Sequence, residues 1–220
     1  MTSEQKRLFF PDGKLQGEMH YAQGVLHGPS HFYSPEGKLL SHVVFCAGKR
    51  EGKGMFYYLS GSVASVQNFV EGTWDGLQEY FYESGARKSQ LPYCRGRLHG
   101  QVCLFWEHGG LKRQVEYSEG EREGKDQLWN EQGVLIDEGN YRANQPSGLQ
   151  RYYFPQGTCK EELFYHSPTR FDKKQWNAQG KLLFEGVWTP DLTYTERVFQ
   201  ETGGARVRKG YWDGTKLCWK

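Results

Sequence analysis

The stretch that decides the fold is Phe32-Tyr33-Ser34-Pro35-Glu36-Gly37-Lys38-Leu39. Related stretches recur every 24 residues, each with large apolar or aromatic residues before a short turn sequence that contains glycine. The turn glycines of the regular copies are Gly37, Gly61, Gly85, Gly109, Gly133 and Gly157. A degenerate copy ends at Gly13, and two later copies with a slightly shorter period end at Gly180 and Gly203. A fixed period of this kind indicates a repeat architecture, in which each repeat packs on its neighbours.

Each repeat carries a second mark, an aromatic residue that stands eight positions after the turn glycine. In most repeats this aromatic opens the string aromatic-x-x-Gly-x-x-x-Gly, as in Tyr21-Ala22-Gln23-Gly24-Val25-Leu26-His27-Gly28. The two glycines allow the strand to leave the sheet and to return one strand further on. The nine aromatics are Tyr21, Phe45, Phe69, Tyr93, Tyr117, Tyr141, Tyr165, Trp188 and Tyr211.

This string and its spacing resemble the MORN repeat family, in about nine copies that cover nearly the whole chain. The 24-residue spacing is most similar to the MORN variant of bacterial antitoxin-like and immunity-like proteins. The resemblance implies a repeat fold and a binding role, with another protein as the partner. It does not imply any particular partner.

The turn chemistry predicts β-hairpins. Pro35 suits the second position of a turn, and Gly37 supplies the positive φ of a glycine bulge. In this register Ser34 pairs with Lys38 and Tyr33 pairs with Leu39. The predicted fold is all-β: an elongated single-layer antiparallel β-sheet ribbon of about nine β-hairpin repeats of 23–24 residues.

The repeats predict a single domain over residues 1–220, with regular repeats over about 9–165 and divergent repeats over about 166–220. The return-turn glycines are lost at Pro168 and Asp191, so we expect altered loops over residues 167–172 and 189–193. Residues 1–8 and 212–220 are expected to cap the ends of the array.

Composition narrows the class of partner. The net charge of +2 is nearly balanced and there is no basic stripe, which argues against nucleic acid. No apolar run approaches a membrane span and the first residues do not resemble a signal peptide, which argues against a membrane as partner. The five cysteines are odd in number and never occur as CxxC, which favours a reducing compartment. We therefore expect a cytoplasmic protein.

No motif for catalysis is present. The sequence lacks a nucleophile elbow, a phosphate-binding loop and any metal-ligand spacing among its seven histidines. His27 and His99 stand at equivalent return-turn positions and are expected to be loop residues. The sequence therefore predicts no enzyme, no cofactor and no metal.

Candidate binding residues come from the alternation of side chains along the strands. Strict alternation places Tyr33, Leu39, Val43 and Phe45 on one face, with Tyr57, Val63 and Phe69 as the next set. The opposite face then carries a central block of six large residues: Phe56, Tyr58, Tyr80, Tyr82, Leu104 and Trp106. Such a block is either an interaction patch or apolar cover for a single-layer sheet.

The first face is the competing candidate. By resemblance to the MORN family, a partner segment in a groove would contact Tyr57, Phe81, Phe105, Trp129 and Tyr153. Sequence alone leaves open which face binds. The candidate protein-binding residues are therefore Phe56, Tyr58, Tyr80, Tyr82 and Trp106 on one face, and Phe81, Phe105 and Trp129 on the other.

The predicted function is that of a non-enzymatic protein-binding repeat protein. The resemblance adds an immunity or antitoxin role, in which the protein neutralises a cognate toxin by covering its active site. The alternative is a scaffold or membrane-surface adaptor that binds anionic lipid and other proteins. The sequence leaves the oligomeric state open.

Overall fold

The computed structural model of the chain describes residues 3–201 and 203–220. All regular structure in this part of the chain is β-strand, which confirms the all-β prediction. The first twelve strands are β1 (Ser3–Phe9), β2 (Leu15–Ala22), β3 (Val25–Tyr33), β4 (Leu39–Cys46), β5 (Lys49–Arg50), β6 (Gly52–Tyr57), β7 (Val63–Val70), β8 (Thr73–Trp74), β9 (Gly76–Phe81), β10 (Arg87–Cys94), β11 (Arg97–Leu98) and β12 (Gly100–Phe105). The other ten are β13 (Leu111–Ser118), β14 (Glu121–Trp129), β15 (Leu135–Arg142), β16 (Gln145–Tyr153), β17 (Cys159–Ser167), β18 (Arg170–Trp176), β19 (Leu182–Trp188), β20 (Thr193–Phe199), β21 (Ala205–Trp212) and β22 (Leu217–Trp219).

The chain forms two compact units. The first unit comprises residues up to Leu111 together with Tyr117–Gly120, and the second comprises Lys112–Glu116 together with Glu121–Lys220. Within each unit the strands pair antiparallel with their neighbours in the chain, for example β2 with β3 and β14 with β15. This confirms the predicted antiparallel hairpin repeats.

The hairpin turn has the predicted chemistry. The N–H of Ser34 donates to the carbonyl of Lys38 at 2.8 Å, and the N–H of Gly37 donates to the carbonyl of Ser34 at 2.9 Å. Gly37 has a φ of 79°, a value that favours glycine. Tyr33 pairs with Leu39 as expected.

A register shift in the pairing of β3 with β4 shows that some side chains lie on the face opposite to the predicted one. The register shifts by one residue between Phe32 and Tyr33, because Phe32 pairs with Ser41 while Tyr33 pairs with Leu39. The extra residue, Leu40, is a β-bulge, and it reverses the alternation of every later side chain in β4. The prediction that Val43 and Phe45 share a face with Tyr33 and Leu39 is therefore wrong.

The same bulge recurs in the next hairpin. Phe56 pairs with Ser65 and Gly54 pairs with Gln67, whereas Tyr57 pairs with Val63. Consequently Phe69 lies on the face of Phe56 and not on that of Tyr57 and Val63. An added Cβ at Gly54 would lie 3.3 Å from the Phe69 ring and 3.5 Å from the Phe56 ring.

We call the face of each unit that holds its buried side chains the core face, and the other the open face. In the first unit the core face buries a mixed apolar and polar set: Met19, Val43, Phe69, Val102, Ser30, Ser34, Ser65, Gln78 and Ser89. In the second unit the core face buries Val115, Asp126, Gln150, Leu163 and Tyr194. Since no second layer covers either face in the described residues, this burial comes from neighbouring strands of the same sheet.

The return turns connect successive repeats. Gln23 and Gly24 both have positive φ, 53° and 78°, which is the geometry of a type I′ hairpin turn. At the equivalent turns a side chain from the preceding repeat accepts a hydrogen bond from the turn. Glu51 accepts from the N–H of Glu71 at 2.9 Å, and Asp75 accepts from the N–H of Arg95 at 3.0 Å. Each turn is therefore held by the repeat before it.

Buried glutamines complete the backbone pairing at two places. The Gln78 side chain accepts from the N–H of Asn68 at 2.9 Å and donates to the carbonyl of Asn68 at 3.1 Å. Gln150 donates to the carbonyl of Asn140 at 2.6 Å. One repeat after Asn68 stands Pro92, which has no N–H, and the residue in the place of Gln78 is Val102. At these two places the glutamine side chain thus supplies the partner of a backbone group.

The divergent repeats still form hairpins. Ser167 pairs with Arg170, so only Pro168 and Thr169 leave the strands, and the expected loop over residues 167–172 is wrong. The second expected loop is confirmed as a turn, in which the N–H of Thr189 donates to the carbonyl of Thr193 at 2.8 Å and Leu192 has a φ of 62°. Of the expected caps, residues 1 and 2 lie outside the described residues, while β1 and β22 are terminal strands.

Candidate protein-binding surface

Phe56 and Tyr80 lie together on the core face of the first unit. Ser65 stands between them, because it pairs with Phe56 on β6 and with Tyr80 on β9. The serine is buried, and both rings are half-buried beside it. Burial raises the pKa of the Tyr80 phenol, and the neighbouring Tyr93 adds to this effect. These rings therefore serve as cover for their own sheet.

Tyr58 and Tyr82 occupy the first position of two successive hairpin turns. The Tyr58 hydroxyl donates to the carbonyl of Phe81 at 2.8 Å, and the Tyr82 hydroxyl donates to the carbonyl of Phe105 at 2.9 Å. Each tyrosine thus bonds to the backbone one repeat further along the chain. Trp106 is half-buried at the start of the next turn, where its backbone N–H donates to the carbonyl of Gly110 at 2.8 Å.

Small polar residues at this position bond within their own turn, and Asn130 also donates to the carbonyl of Pro155 in the next repeat at 3.4 Å. The Ser34 hydroxyl accepts from the N–H groups of Glu36 at 3.2 Å and Lys38 at 3.3 Å. The Asn130 side chain accepts from the N–H of Val134 at 2.9 Å. The sequence reading treated large residues here as unnecessary for the hairpin, and it missed the bonds that the tyrosines make between repeats. The sequence carried no signal for these bonds, because the carbonyl that each hydroxyl reaches depends on the spacing of strands in the folded sheet.

Replacing Tyr82 by phenylalanine is expected to lower the free energy of unfolding by about 0.5–1.5 kcal/mol, because the carbonyl of Phe105 loses its donor. Urea unfolding followed by circular dichroism measures this. Tyr33→Phe is the matched control, since the Tyr33 hydroxyl has no hydrogen-bond partner among the described residues. Equal effects in both variants would show that the inter-repeat bond does not stabilise the fold.

Phe81 and Phe105 lie on the open face of the first unit. Phe81 pairs with Arg87 on β10. Phe105 alternates with Leu104, which pairs with the core-face residue Ser89. Trp129 belongs to the second unit, where it ends β14 and pairs with Leu135. The candidate residues therefore lie on two faces and in two units.

Further apolar residues lie on the open face beside Tyr57 and Phe81. Met55 pairs with Val66, and Tyr57 pairs with Val63. The Tyr57 hydroxyl lies 3.6 Å from the sulfur of Met55, and Leu77 is an exposed large apolar side chain on β9. We define the open-face patch as Met55, Tyr57, Val63, Val66, Leu77 and Phe81. Sequence reasoning missed Val66, because strict alternation did not allow for the bulge. It also left out Met55 and Leu77, although these residues precede the bulge and alternation along β6 and β9 places them with Tyr57 and Phe81.

The open face of the second unit has a different chemistry, because charged side chains of alternating sign follow one another across its strands. Arg151 pairs with Glu162 at 2.9 Å and with Glu138 at 3.6 Å. Further along, Arg197 pairs with Glu185 at 2.7 Å. These charges are already matched within the sheet, and the apolar side chains among them include the exposed Phe164 opposite Leu149.

The return-turn histidines make local contacts. His27 and His99 are return-turn residues, and their Nδ1 atoms face the N–H groups of Ala47 at 3.4 Å and Glu119 at 3.5 Å. Across residues 3–201 and 203–220, no group of three or more His, Cys, Asp or Glu side chains could hold a metal ion. In the same residues no helix is long and apolar enough to cross a membrane.

Comparison with known proteins agrees with the repeat. The model of the MORN repeat variant family matches residues 6–23 and 74–95. The search of curated proteins found no match. Among solved structures, the chain is similar to the Tc holotoxin pore of Photorhabdus luminescens, with 11% identity and a TM-score of 0.19 over 95% of this chain and 15% of that chain. The chain thus spans a small part of that protein's length, and a likeness this low assigns no function. The two family matches, at equivalent positions of the hairpin repeat, support a MORN-repeat protein.

Proposed function

We propose that this chain is a non-enzymatic binding protein that captures another protein on the open-face patch of its first unit. The observation that carries the proposal is a group of apolar side chains on one face, Met55, Tyr57, Val63, Val66 and Phe81, that no second layer of the described chain covers. Leu77 belongs to the same face but is separated from Phe81 and Val66 by Glu79. Grouped apolar surface of this kind marks interaction sites.

The core face is the weaker candidate for the same role. Its rings pack over small buried residues such as Ser65 and Gly54, and its turn tyrosines bond to the next repeat. A side chain that already covers its own sheet gains little from a partner. The open-face rings lack this internal use, so their burial by a partner is available as binding energy.

Tyr57 and Phe81 are the proposed anchors of the contact. They stand at equivalent positions of successive hairpins and present large rings without long flexible chains. Aromatic residues of this kind dominate interface energetics, and truncation of each costs roughly 1–4 kcal/mol of binding. Phe105 occupies the same place in the following hairpin of the first unit and extends the set of candidate anchors, while Trp129 is a separate candidate on the second unit.

The finer proposal is an immunity or antitoxin role in the cytoplasm, in which the bound protein is a cognate toxin with its active site covered. The resemblance to the immunity-like MORN variant supports this role. All five cysteines are free, which fits a reducing compartment. A toxin gene next to the gene for this chain would add support.

Phe81→Ala is expected to weaken the affinity for the partner about 10- to 1000-fold. Tyr82→Ala is expected to lower the melting temperature and to leave the affinity of the folded protein unchanged. The two residues are adjacent in the chain and serve opposite faces, so they form a matched pair. The partner is first captured on the full chain from the native cell and identified by mass spectrometry. Affinity is then measured by isothermal titration calorimetry alongside thermal unfolding.

The reverse pattern, with affinity lost in Tyr82→Ala and kept in Phe81→Ala, would move the binding surface to the core face. Unchanged affinity in both variants would remove the central repeats from the contact. For the immunity role, the captured partner is expressed alone and together with this chain. Growth that fails in the first case and recovers in the second supports neutralisation, and a partner that is harmless alone refutes it.

The alternative of a membrane-surface adaptor requires free basic charge on one face. Two of the basic residues near the C-terminus are engaged instead: Arg197 pairs with Glu185 at 2.7 Å, and Arg208 pairs with Glu196 at 2.8 Å. Strong binding to anionic vesicles that salt abolishes would favour the adaptor over the protein-binding proposal.

A further inference from the structure

His31 on β3 and His42 on β4 face each other directly across two paired strands of the first unit. Their ring centroids are 4.6 Å apart and the rings are tilted by 30°. The Nδ1 atom of His31 is buried and has no hydrogen-bond partner. Two imidazole rings in this arrangement pack well when both are neutral, and they repel each other when both carry a proton.

The surroundings supply little to neutralise a second proton. On β2, Glu18 lies opposite His31, but its carboxylate pairs with Arg7 of β1 at 3.0 Å. His20, also on β2, donates through Nδ1 to the carbonyl of Pro29 at 2.8 Å.

The other side of the pair is formed by β6. Met55 lies opposite His42, and Lys53 stands two residues before Met55 on the same face of β6. The groups around the two rings are therefore one carboxylate that is already paired, one further histidine, one thioether and one lysine. This set does not offset the charge of a doubly protonated pair.

We propose that the His31–His42 pair is an acid-sensitive joint between β3 and β4, which holds these strands together when both rings are neutral and loosens the first unit when both are protonated. Histidine is the side chain whose charge ordinarily changes in mildly acidic solution. The joint would thus make the stability of this part of the sheet depend on pH without any bound ligand.

The direction of the pH dependence follows from His31. Burial lowers the pKa of its imidazole, the charge of His42 lowers it further, and Glu18 acts in the opposite direction. The unfolded chain takes up the proton near the ordinary value of 6.5, and the folded chain takes it up only at lower pH. Between the two values the unfolded state binds more protons, so stability is lost as the pH falls through this window and is constant above it.

The test compares the full-length protein with His42→Gln, which keeps a side chain of similar size and removes the second charge. Thermal unfolding is followed at pH 7.5 and pH 5.5, and the histidine ring protons are titrated by NMR. For the unaltered chain we expect the melting temperature to fall by about 2–4 °C for each pKa unit by which folding lowers the value. In His42→Gln we expect a smaller fall and a His31 pKa closer to 6.5.

His108→Gln, at an exposed hairpin turn, is the control and should keep the full pH dependence. The NMR titration provides an answer even if His42→Gln is less stable at every pH. The proposal is overturned if His31 titrates at or above its ordinary value in the unaltered chain, or if His42→Gln leaves the His31 titration and the pH dependence unchanged.

Discussion

Replacing Gly139 by valine is expected to lower the free energy of unfolding of the second unit by about 3 kcal/mol or more. A Cβ at Gly139 would coincide with the side-chain amide of Gln150. Gln150 is 2% exposed and donates to the carbonyl of Asn140 at 2.6 Å, so it has no free space into which to move. The valine therefore either overpacks the core face or expels a buried amide from its hydrogen bond.

A second substitution provides the control for this prediction. In β2 and β3 the equivalent pair is Met19 and Ser30, in which a small residue faces a large apolar one. The double variant Gly139→Val, Gln150→Ser likewise places a serine opposite an apolar side chain, and it should recover most of the stability that the single variant loses. Urea unfolding of the single and double variants measures the coupling. If the double variant is no more stable than Gly139→Val alone, the amide of Gln150 is not what requires glycine at this position.

Replacing Asp126 by alanine is expected to cost about 2–3 kcal/mol of stability. Its side chain is 8% exposed and pairs with Arg113, from which it accepts hydrogen bonds at 2.9 and 2.6 Å, and with Arg122 at 3.5 Å. Removal of the carboxylate leaves two guanidinium groups without this counter-charge. The cost stays below the ~3–5 kcal/mol of a fully buried pair because the Arg113 side chain is 40% exposed and water screens it.

Glu185→Ala is the matched comparison, because Glu185 pairs with Arg197 at 2.7 Å on the solvent-exposed side of the same unit. Exposed pairs contribute about 0.2–1 kcal/mol, so this variant should lose much less than Asp126→Ala. Thermal and urea unfolding of both variants give the comparison. Equal losses would mean that burial of Asp126 does not determine the strength of its pairing.

The turn sequence predicted the hairpin register to the residue. Pro35 and Gly37 have backbone requirements that few other turn types satisfy, so the pairing of Tyr33 with Leu39 followed directly. The bulge at Leu40 was not predictable in the same way. A bulge of this type places no demand on its own side chain, and leucine gives no local signal for it. The error then reversed the predicted face of Val43, Phe45 and Phe69.

The candidate site was also predicted only in part from the sequence. Sequence alternation correctly separated Tyr57 and Phe81 from Phe56 and Tyr80, since these residues precede the bulge in each hairpin. It could not place Val66, which follows the bulge. It also could not foresee that the Tyr58 and Tyr82 hydroxyls reach the next repeat, because a hydrogen bond over 23 residues depends on the spacing of strands in the folded sheet.

The pairing of strands with their neighbours in the chain has a consequence for synthesis on the ribosome. At about 5–20 residues per second, a 24-residue repeat emerges in roughly 1–5 s, whereas a β-hairpin closes in about 1–10 μs. Within each unit a newly emerged strand therefore meets a finished edge to which it can bond, and no strand has to wait for a distant partner. The growing end exposes one strand edge at a time, which limits the opportunity for nascent chains on neighbouring ribosomes to pair with each other.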